Sequence, residues 1–343
     1  MKTKGMMIQQ LAEHLGYADS EYLSKLLDHL LTEEEATLMT NLPDTPKNLT
    51  LKLDLDEEYV NCRLRDLFMR GLVLIDSHVA GEPIYLVDNN AGRFMDMILF
   101  DPRYQEEDED FYSLWRDFFN NELVYAPRSP EKLPFRIIPV DENIEDHRTI
   151  LPYEQVSEII KNAKRIAVQN CPCRTREQRC SAPLETCISL NETAEYMITR
   201  NIGREIIYSE ALHILKSAEE FGLVHETDNT DNPTIICNCC SCCCVFLRAI
   251  TVFQQEDVIA RSRFFAQFDK EKCILCFRCL ARCLFKSITF VEGQILIDSS
   301  KCYGCGLCST TCKGGAISMV LKENALSIPH KGDEFMQGFT NIP

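Results

Sequence analysis

In this 343-residue chain, the number and spacing of the cysteines indicate a chemical function. There are 19 cysteines, and all of them except Cys62 fall into three groups. The chain is 45% hydrophobic, so it has enough apolar material for a core and does not need disulfides to fold. Grouped cysteines in a chain of this kind indicate metal binding, because thiolates are soft ligands that suit zinc and iron–sulfur clusters.

The C-terminal group has the most specific spacing. Two C-x2-C-x2-C-x3-C segments follow one another, and they consist of Cys273, Cys276, Cys279 and Cys283, then Cys302, Cys305, Cys308 and Cys312. A C-x2-C-x2-C loop can direct three thiolates at three irons of one cluster, whereas a zinc site would not need a third cysteine in each loop. The spacing therefore predicts iron–sulfur clusters here.

On this spacing, residues 265–322 resemble the bacterial two-[4Fe-4S] ferredoxin domain. The resemblance implies two [4Fe-4S] clusters, with the fourth cysteine of each segment crossing to the other cluster. The implied sets are Cys273, Cys276, Cys279 and Cys312 for the first cluster, and Cys302, Cys305, Cys308 and Cys283 for the second. The family usually has proline after the fourth cysteine, but Leu284 and Lys313 stand there. Ligation does not need that proline, whereas the reduction potentials depend on such surroundings.

Ten further cysteines form two groups in the middle of the chain. They are Cys171, Cys173, Cys180 and Cys187 in one group, and Cys237, Cys239, Cys240, Cys242, Cys243 and Cys244 in the other. Adjacent cysteines rarely meet disulfide geometry, so local pairing does not explain the second group. Ten thiolates could hold one or two further iron–sulfur clusters with thiols to spare.

Three kinds of metal site are possible for these central cysteines. They could hold ordinary electron-relaying [4Fe-4S] clusters, or a cluster that itself carries out a reaction. The third candidate is zinc, which fits a site of four cysteines but not a run of six. The spacing leaves open which thiols bind and how many irons they hold. Arg174 and Arg176, beside the first group, could offset the negative charge of a cluster.

The helices and strands predicted around these cysteines indicate an α+β protein. We expect a winged-helix-like docking domain at 1–100, a connecting region at 101–150, a mostly helical cysteine-rich domain at 151–262, a two-[4Fe-4S] ferredoxin domain at 263–325 and a tail at 326–343. Helices followed by a hairpin make residues 1–90 resemble a winged-helix domain. Thr32 and Glu35 have the spacing of a capping box, and a further helix is predicted between Asp56 and Gly71.

The distribution of charge narrows the choice of partner. Residues 1–150 carry 30 acidic and 15 basic side chains, whereas residues 151–343 carry 22 and 21. An acidic N-terminal half disfavours nucleic acid and anionic membranes, so Arg63, Arg65 and Arg70 are interpreted as a solvated helix face. The chain has no apolar run of about 18 residues and no secretory signal. We therefore expect no membrane span and a cytoplasmic location.

As a whole, the chain resembles the multidomain 4Fe-4S ferredoxin-type proteins of anaerobic prokaryotes, which implies low-potential electron transfer. It contains no G-x-G-x-x-G or Walker loop that would bind a nucleotide. The leading prediction is an iron–sulfur electron-transfer protein that is a subunit or partner of a larger anaerobic redox enzyme. One alternative is a redox-sensing winged-helix regulator, and another is a reductase, an iron–sulfur oxidoreductase with a catalytic central cluster.

Overall fold

The computed structural model describes residues 2–76, 82–101, 104, 109–129, 133–140, 144, 146–325 and 327–329. The chain divides into two compact units, one built from Met1–Ala126 and the other from Pro127–Lys331. The tail predicted at 326–343 lies outside the described residues except for 327–329. In the described part of the chain, no helix has both the length and the apolar character needed to cross a lipid bilayer.

In its described residues, the N-terminal unit is mainly helical and contains one small hairpin. Its elements are α1 (Lys4–His14), α2 (Glu21–Leu30), α3 (Glu33–Met39), α4 (Pro46–Leu53), α5 (Glu57–Arg70), β1 (Leu74–Asp76), β2 (Ile84–Leu86), α6 (Ala91–Leu99) and α7 (Glu109–Asn121). The strands β1 and β2 pair antiparallel. The helices and hairpin predicted for residues 1–90 are thus present, and the winged-helix assignment itself stays a prediction.

Local capping signals explain where several of these helices begin and end. Thr32 and Glu35 form the predicted capping box, in which each side chain accepts a hydrogen bond from the other residue's backbone N–H. The Asp56 side chain caps α5, and Gly71 ends it with φ at 81°. The aromatic side chains of α7, among them Phe111, Trp115 and Phe118, are buried, so they belong to the core of this unit.

The C-terminal unit alternates strands with short helices. Its elements are β3 (Phe135–Ile137), α8 (Val156–Lys161), β4 (Ile166–Asn170), α9 (Pro172–Glu177), β5 (Glu185–Leu190), α10 (Asn191–Thr199), β6 (Arg204–Glu205), α11 (Tyr208–Phe221), β7 (Val224–Asp228), β8 (Ile235–Cys239), α12 (Val245–Thr251), β9 (Phe264–Phe268), α13 (Arg278–Arg282), β10 (Ile288–Val291), β11 (Gln294–Ile297), α14 (Leu307–Thr310) and β12 (Ile317–Leu321).

A six-stranded antiparallel sheet organises the cysteine-rich region. Its strand order is β3-β7-β8-β5-β4-β6, and apolar side chains of α8 and α11 pack against it. The prediction of a mostly helical domain at 151–262 was wrong in this respect. The reason is that β7 buries polar side chains, among them His225 and Glu226, so it shows no hydrophobic alternation.

The ferredoxin-like segment is built from two antiparallel pairs of strands. β9 pairs with β12, and β10 pairs with β11. Between these strands, α13 and α14 each begin within a cysteine loop. Buried apolar side chains such as Phe264 and Met319 form the core, and the cysteines pack against it.

Candidate metal centres

Two cavities in the ferredoxin-like segment are each lined by four thiols. The first is lined by Cys273, Cys276, Cys279 and Cys312. The second is lined by Cys283, Cys302, Cys305 and Cys308. Each cavity thus combines three cysteines of one loop with the fourth cysteine of the other segment. This is the grouping that the ferredoxin resemblance implies, and ligation of clusters by these thiols stays a prediction.

The two cysteine loops reach the same backbone conformation with different residues. Residues in the left-handed region make the turns, and they are Leu275 (φ 51°) and Phe277 (φ 58°) in the first loop and Gly304 (φ 76°) and Gly306 (φ 79°) in the second. The second loop needs glycine because it lies against other backbone. A Cβ atom on Gly304 would collide with the carbonyl oxygen of Phe264.

The surroundings of the two cavities fit an iron–sulfur cluster. Four thiols and apolar side chains line each cavity, and thiolates in a shielded pocket are the usual cluster ligands. Burial raises the pKa of Cys305 to about 12 and the pKa of Cys308 well above its ordinary value. Without a cation these thiols therefore stay protonated, and cluster assembly must displace their protons.

We expect Gly304→Ala to abolish the second cluster. The new methyl group would collide with backbone and would also strain a residue in the left-handed region, so the loop that carries Cys302 and Cys305 must move. Iron analysis should show a loss of about four irons per chain, which is one cube. Gly293→Ala is the matched control, because Gly293 has φ at +80° but open space around its Cα. Equal iron contents in the two variants would contradict this expectation.

Six of the ten central thiols form a closed ring, which we call the six-thiol ring. The thiol of each member interacts with that of the next, and the members are, in order around the ring, Cys171, Cys173, Cys244, Cys239, Cys237 and Cys187. They come from the start of α9, from β5 and β8, and from the residue that precedes α12. The sheet therefore brings together both central cysteine groups.

A buried carboxyl group adjoins the six-thiol ring and was missed by the sequence analysis. Glu226 on β7 is 1% exposed, and its Oε2 and Oε1 atoms lie 3.6 and 3.8 Å from the Sγ atom of Cys244. Burial, followed by the charge of Cys244, raises the pKa of Glu226 well above its usual range. Its ligand atom lies within 4.8 Å of those of Cys239 and Cys244. The ring thus has a seventh potential ligand or a proton donor.

Arg174 supplies positive charge beside the same ring. Its side chain is 2% exposed, and its Nη1 atom donates a 2.8 Å hydrogen bond to the carbonyl oxygen of Asn238. Burial lowers the pKa of the Arg174 guanidinium, but the charges of the neighbouring cysteines, first Cys171 and Cys187, raise it more, so the pKa lies above its ordinary value. Arg174 is therefore placed to offset the negative charge of a thiolate-bound metal, as the sequence suggested.

The other four central thiols form a second, tighter set, which we call the four-thiol group. It consists of Cys180, Cys240, Cys242 and Cys243, whose Sγ atoms all lie within 4.8 Å of one another. Cys180 is exposed, whereas Cys240 and Cys243 are buried. Cys180 comes from the first central group of the sequence and the other three from the second. The sequence spacing did not reveal this division.

A buried network of charges lies beside the four-thiol group. The Glu177 carboxylate, with no exposed surface, contacts the Nε atom of Arg176 at 2.9 Å, the Nη1 atom of Arg248 at 2.8 Å and the Nε atom of Arg179 at 2.7 Å. Arg176 also donates a 3.4 Å hydrogen bond to the carbonyl oxygen of Cys243. Arg176 thus contributes to the protein scaffold around the thiols.

Comparisons with known proteins cover a small part of the chain. The family model for the 4Fe-4S dicluster domain matches residues 265–313. The indolepyruvate oxidoreductase subunits IorA of Methanothermobacter thermautotrophicus and Methanothermobacter marburgensis are each 41% identical to this chain over 49 residues. These matches span 14% of this chain and 8% of each relative. No solved structure matches the chain. With its eight cysteines in two cavities, the C-terminal segment is thus a 4Fe-4S dicluster domain of ferredoxin type.

Proposed function

We propose that this protein is an iron–sulfur electron-transfer protein that works as a subunit or partner of a larger anaerobic oxidoreductase. The proposal rests on the two ferredoxin cavities, each lined by four cysteines, within a 4Fe-4S dicluster domain. Such clusters exchange single electrons without changing their ligands. The matching relatives are, by name, subunits of an oxidoreductase, which is consistent with assembly into a redox complex.

The surface around the first cavity favours electron exchange with a protein partner there. Cys276 is exposed, and the neighbouring Ile274, Phe277 and Phe290 are 62%, 43% and 44% exposed. Exposed apolar side chains that cluster in this way are typical of interaction surfaces. The second cavity is more enclosed, since Cys302 and Cys308 are 7% and 8% exposed. Electrons would therefore enter or leave through the first cluster.

A chain of hydrogen bonds leads from the second cavity to the six-thiol ring. Arg282, next to Cys283, donates through Nη2 to the carbonyl oxygens of Glu219 and Glu220 at 2.6 and 2.9 Å. The Glu219 carboxylate lies 3.2 Å from Nε2 of His225, whose Nδ1 lies 2.6 Å from Oδ1 of Asn238. Asn238 stands between two cysteines of the ring. This continuity supports a relay from the ferredoxin clusters to a metal centre at the ring.

We place a further iron–sulfur cluster at the six-thiol ring. Thiolates are the ligands that iron–sulfur clusters require, and the ring offers six of them where one [4Fe-4S] cube takes four. Thiols in excess of four, together with the Glu226 carboxyl, favour a second candidate function, that of a reductase whose central cluster carries out the reaction. A neutral carboxyl could supply a proton where an electron arrives.

The N-terminal unit favours protein docking over DNA binding. Residues 1–150 carry 30 acids and 15 bases, which would repel a phosphate backbone. Arg70, one of the three α5 arginines interpreted above as a solvated face, is instead bound within the unit, with its side chain only 17% exposed. Its Nη1 atom lies 2.5 Å from Glu35, and its Nη2 atom donates to the carbonyl oxygen of Leu30 at 2.8 Å. The regulator alternative therefore has little support.

Electron transfer to a soluble c-type cytochrome tests the proposed function. Holoprotein purified without oxygen and reduced with dithionite should pass about two or more electrons per chain to the cytochrome, since each cube stores one. Ile274→Ser should slow the transfer roughly tenfold by removing apolar contact at the first cavity. Val252→Ser is the matched control, because Val252 is 59% exposed on the central part of the unit. A reduced holoprotein that passes no electrons would refute the proposal.

A further inference from the structure

The distances within the four-thiol group match a single metal ion. The Sγ atom of Cys180 lies 3.7 Å from that of Cys240 and 3.9 Å from that of Cys243, and the Sγ atoms of Cys242 and Cys243 are 3.7 Å apart. Four thiolates arranged as a tetrahedron around one zinc ion, with Zn–S bonds of about 2.3 Å, stand about 3.8 Å from each other. Three of the six sulfur pairs thus lie at the separation that one shared ion requires, and all six lie within 4.8 Å.

The ferredoxin-like segment provides an internal contrast. A [4Fe-4S] cube takes each of its four thiolates on a different iron, so its ligands stand farther apart than those of one ion. Among the described residues, the eight ferredoxin cysteines form no set with all ligand atoms within 4.8 Å, whereas the four-thiol group does. The spacing of the sulfur atoms therefore distinguishes the ferredoxin cysteines, which would surround a cube, from the four-thiol group, which would surround a single ion.

We propose that Cys180, Cys240, Cys242 and Cys243 bind one zinc ion in a tetrahedral S4 site. All four coordination positions would come from the protein, which is the pattern of a structural zinc site rather than a catalytic one. The ion would join the irregular segment that carries Cys180 to the turn that follows β8. That turn connects Cys239 at the end of β8 to Cys244 before α12, both members of the six-thiol ring, so the zinc site would hold part of the ring in place.

The charge around the four-thiol group suits this assignment. Zinc with four thiolates carries a net charge of about −2, because binding releases the thiol protons. Arg174 interacts with Cys240, and Arg176 donates a 3.4 Å hydrogen bond to the carbonyl oxygen of Cys243. A divalent ion with no redox chemistry would therefore sit among compensating cations, outside the proposed path of the electrons.

Metal analysis of the full chain, produced and purified without oxygen in medium containing both zinc and iron, tests the proposal. We expect about one zinc ion per chain, and zinc X-ray absorption should show four sulfur ligands at about 2.3 Å. Cys242→Ser should lose the zinc and keep the iron and the EPR signals of the ferredoxin clusters. Cys62→Ser changes an exposed thiol outside every group and should leave both metals unchanged.

Three results would overturn the zinc assignment. They are iron-loaded wild-type protein without zinc, loss of a whole cluster's iron in Cys242→Ser, and a single iron with four sulfur ligands in place of zinc. If Cys242→Ser does not fold, the absorption spectrum of the wild-type protein decides, since zinc bound by nitrogen or oxygen would refute the S4 site. Failure of the electron-transfer proposal would look different, because the protein would then lack iron or pass no electrons.

Discussion

Cys283→Ser is expected to damage the second ferredoxin cluster and to spare the first. Cys283 lies only ten residues after Cys273, yet it lines the cavity of Cys302, Cys305 and Cys308. A serine oxygen is a harder ligand than a thiolate, so the affected cube should become labile or change its potential. The expected loss is up to about four irons per chain, with the EPR signal of one reduced cluster weakened or shifted.

EPR spectra of the reduced single variants test this crossing of ligands. Cys305→Ser provides the reference spectrum for damage to the second cluster, and Cys276→Ser provides it for the first. Cys312→Ser should reproduce the effect of Cys276→Ser, because Cys312 lines the first cavity. If Cys283→Ser instead matches Cys276→Ser, the ligands are not crossed and the ferredoxin assignment of these cysteines is wrong.

Glu177→Ala is expected to lower the stability of the C-terminal unit by about 3–5 kcal/mol. Glu177 and Arg176 have no exposed side-chain surface, and Arg248 has 4%. Removing the carboxylate would leave buried guanidinium groups without their counter-charge, which is among the costliest changes a protein can undergo. Glu177→Gln should recover little of the loss, since it restores the size of the side chain but not its charge.

Thermal unfolding followed by circular dichroism measures this loss. Glu205→Ala is the matched control, because Glu205 also pairs with an arginine through both carboxylate oxygens, Arg165 at 3.2 and 3.3 Å, but is 57% exposed. An exposed pair of this kind contributes less than about 1 kcal/mol. Similar unfolding temperatures for Glu177→Ala and Glu205→Ala would show that the buried network does not stabilise the unit.

Features encoded by neighbouring residues could be predicted from the sequence. The capping box at Thr32 and the end of α5 at Gly71 depend on a few adjacent positions, and the structure confirms both. The ferredoxin loops are local in the same sense, because three cysteines within seven residues already define one side of each cavity. The grouping of Cys283 and Cys312 is longer in range, and only the family resemblance implied it.

The central module shows where sequence patterns fail. Cys180 and Cys240 are 60 positions apart, and their sulfurs meet only because the six-stranded sheet places the two segments together. The strand β7 buries the polar residues Glu226, Thr227 and Asp228. Thr227 and Asp228 form hydrogen bonds within the fold, and burial raises the pKa of Glu226. Hydrophobic periodicity therefore does not identify β7 as a strand. Without that sheet the ten thiols could not be divided into a ring of six and a group of four.

We propose that clusters occupy both the ferredoxin cavities and the six-thiol ring. The direct test is to count the irons and acid-labile sulfides per chain in protein purified without oxygen. Two cubes hold about eight irons, so we expect more than eight irons per chain and a similar number of sulfides. A double variant of the ring, Cys187→Ser with Cys237→Ser, should return the count to about eight and keep the ferredoxin EPR signals. A count of eight in the wild-type protein, unchanged in that variant, would contradict a cluster at the six-thiol ring.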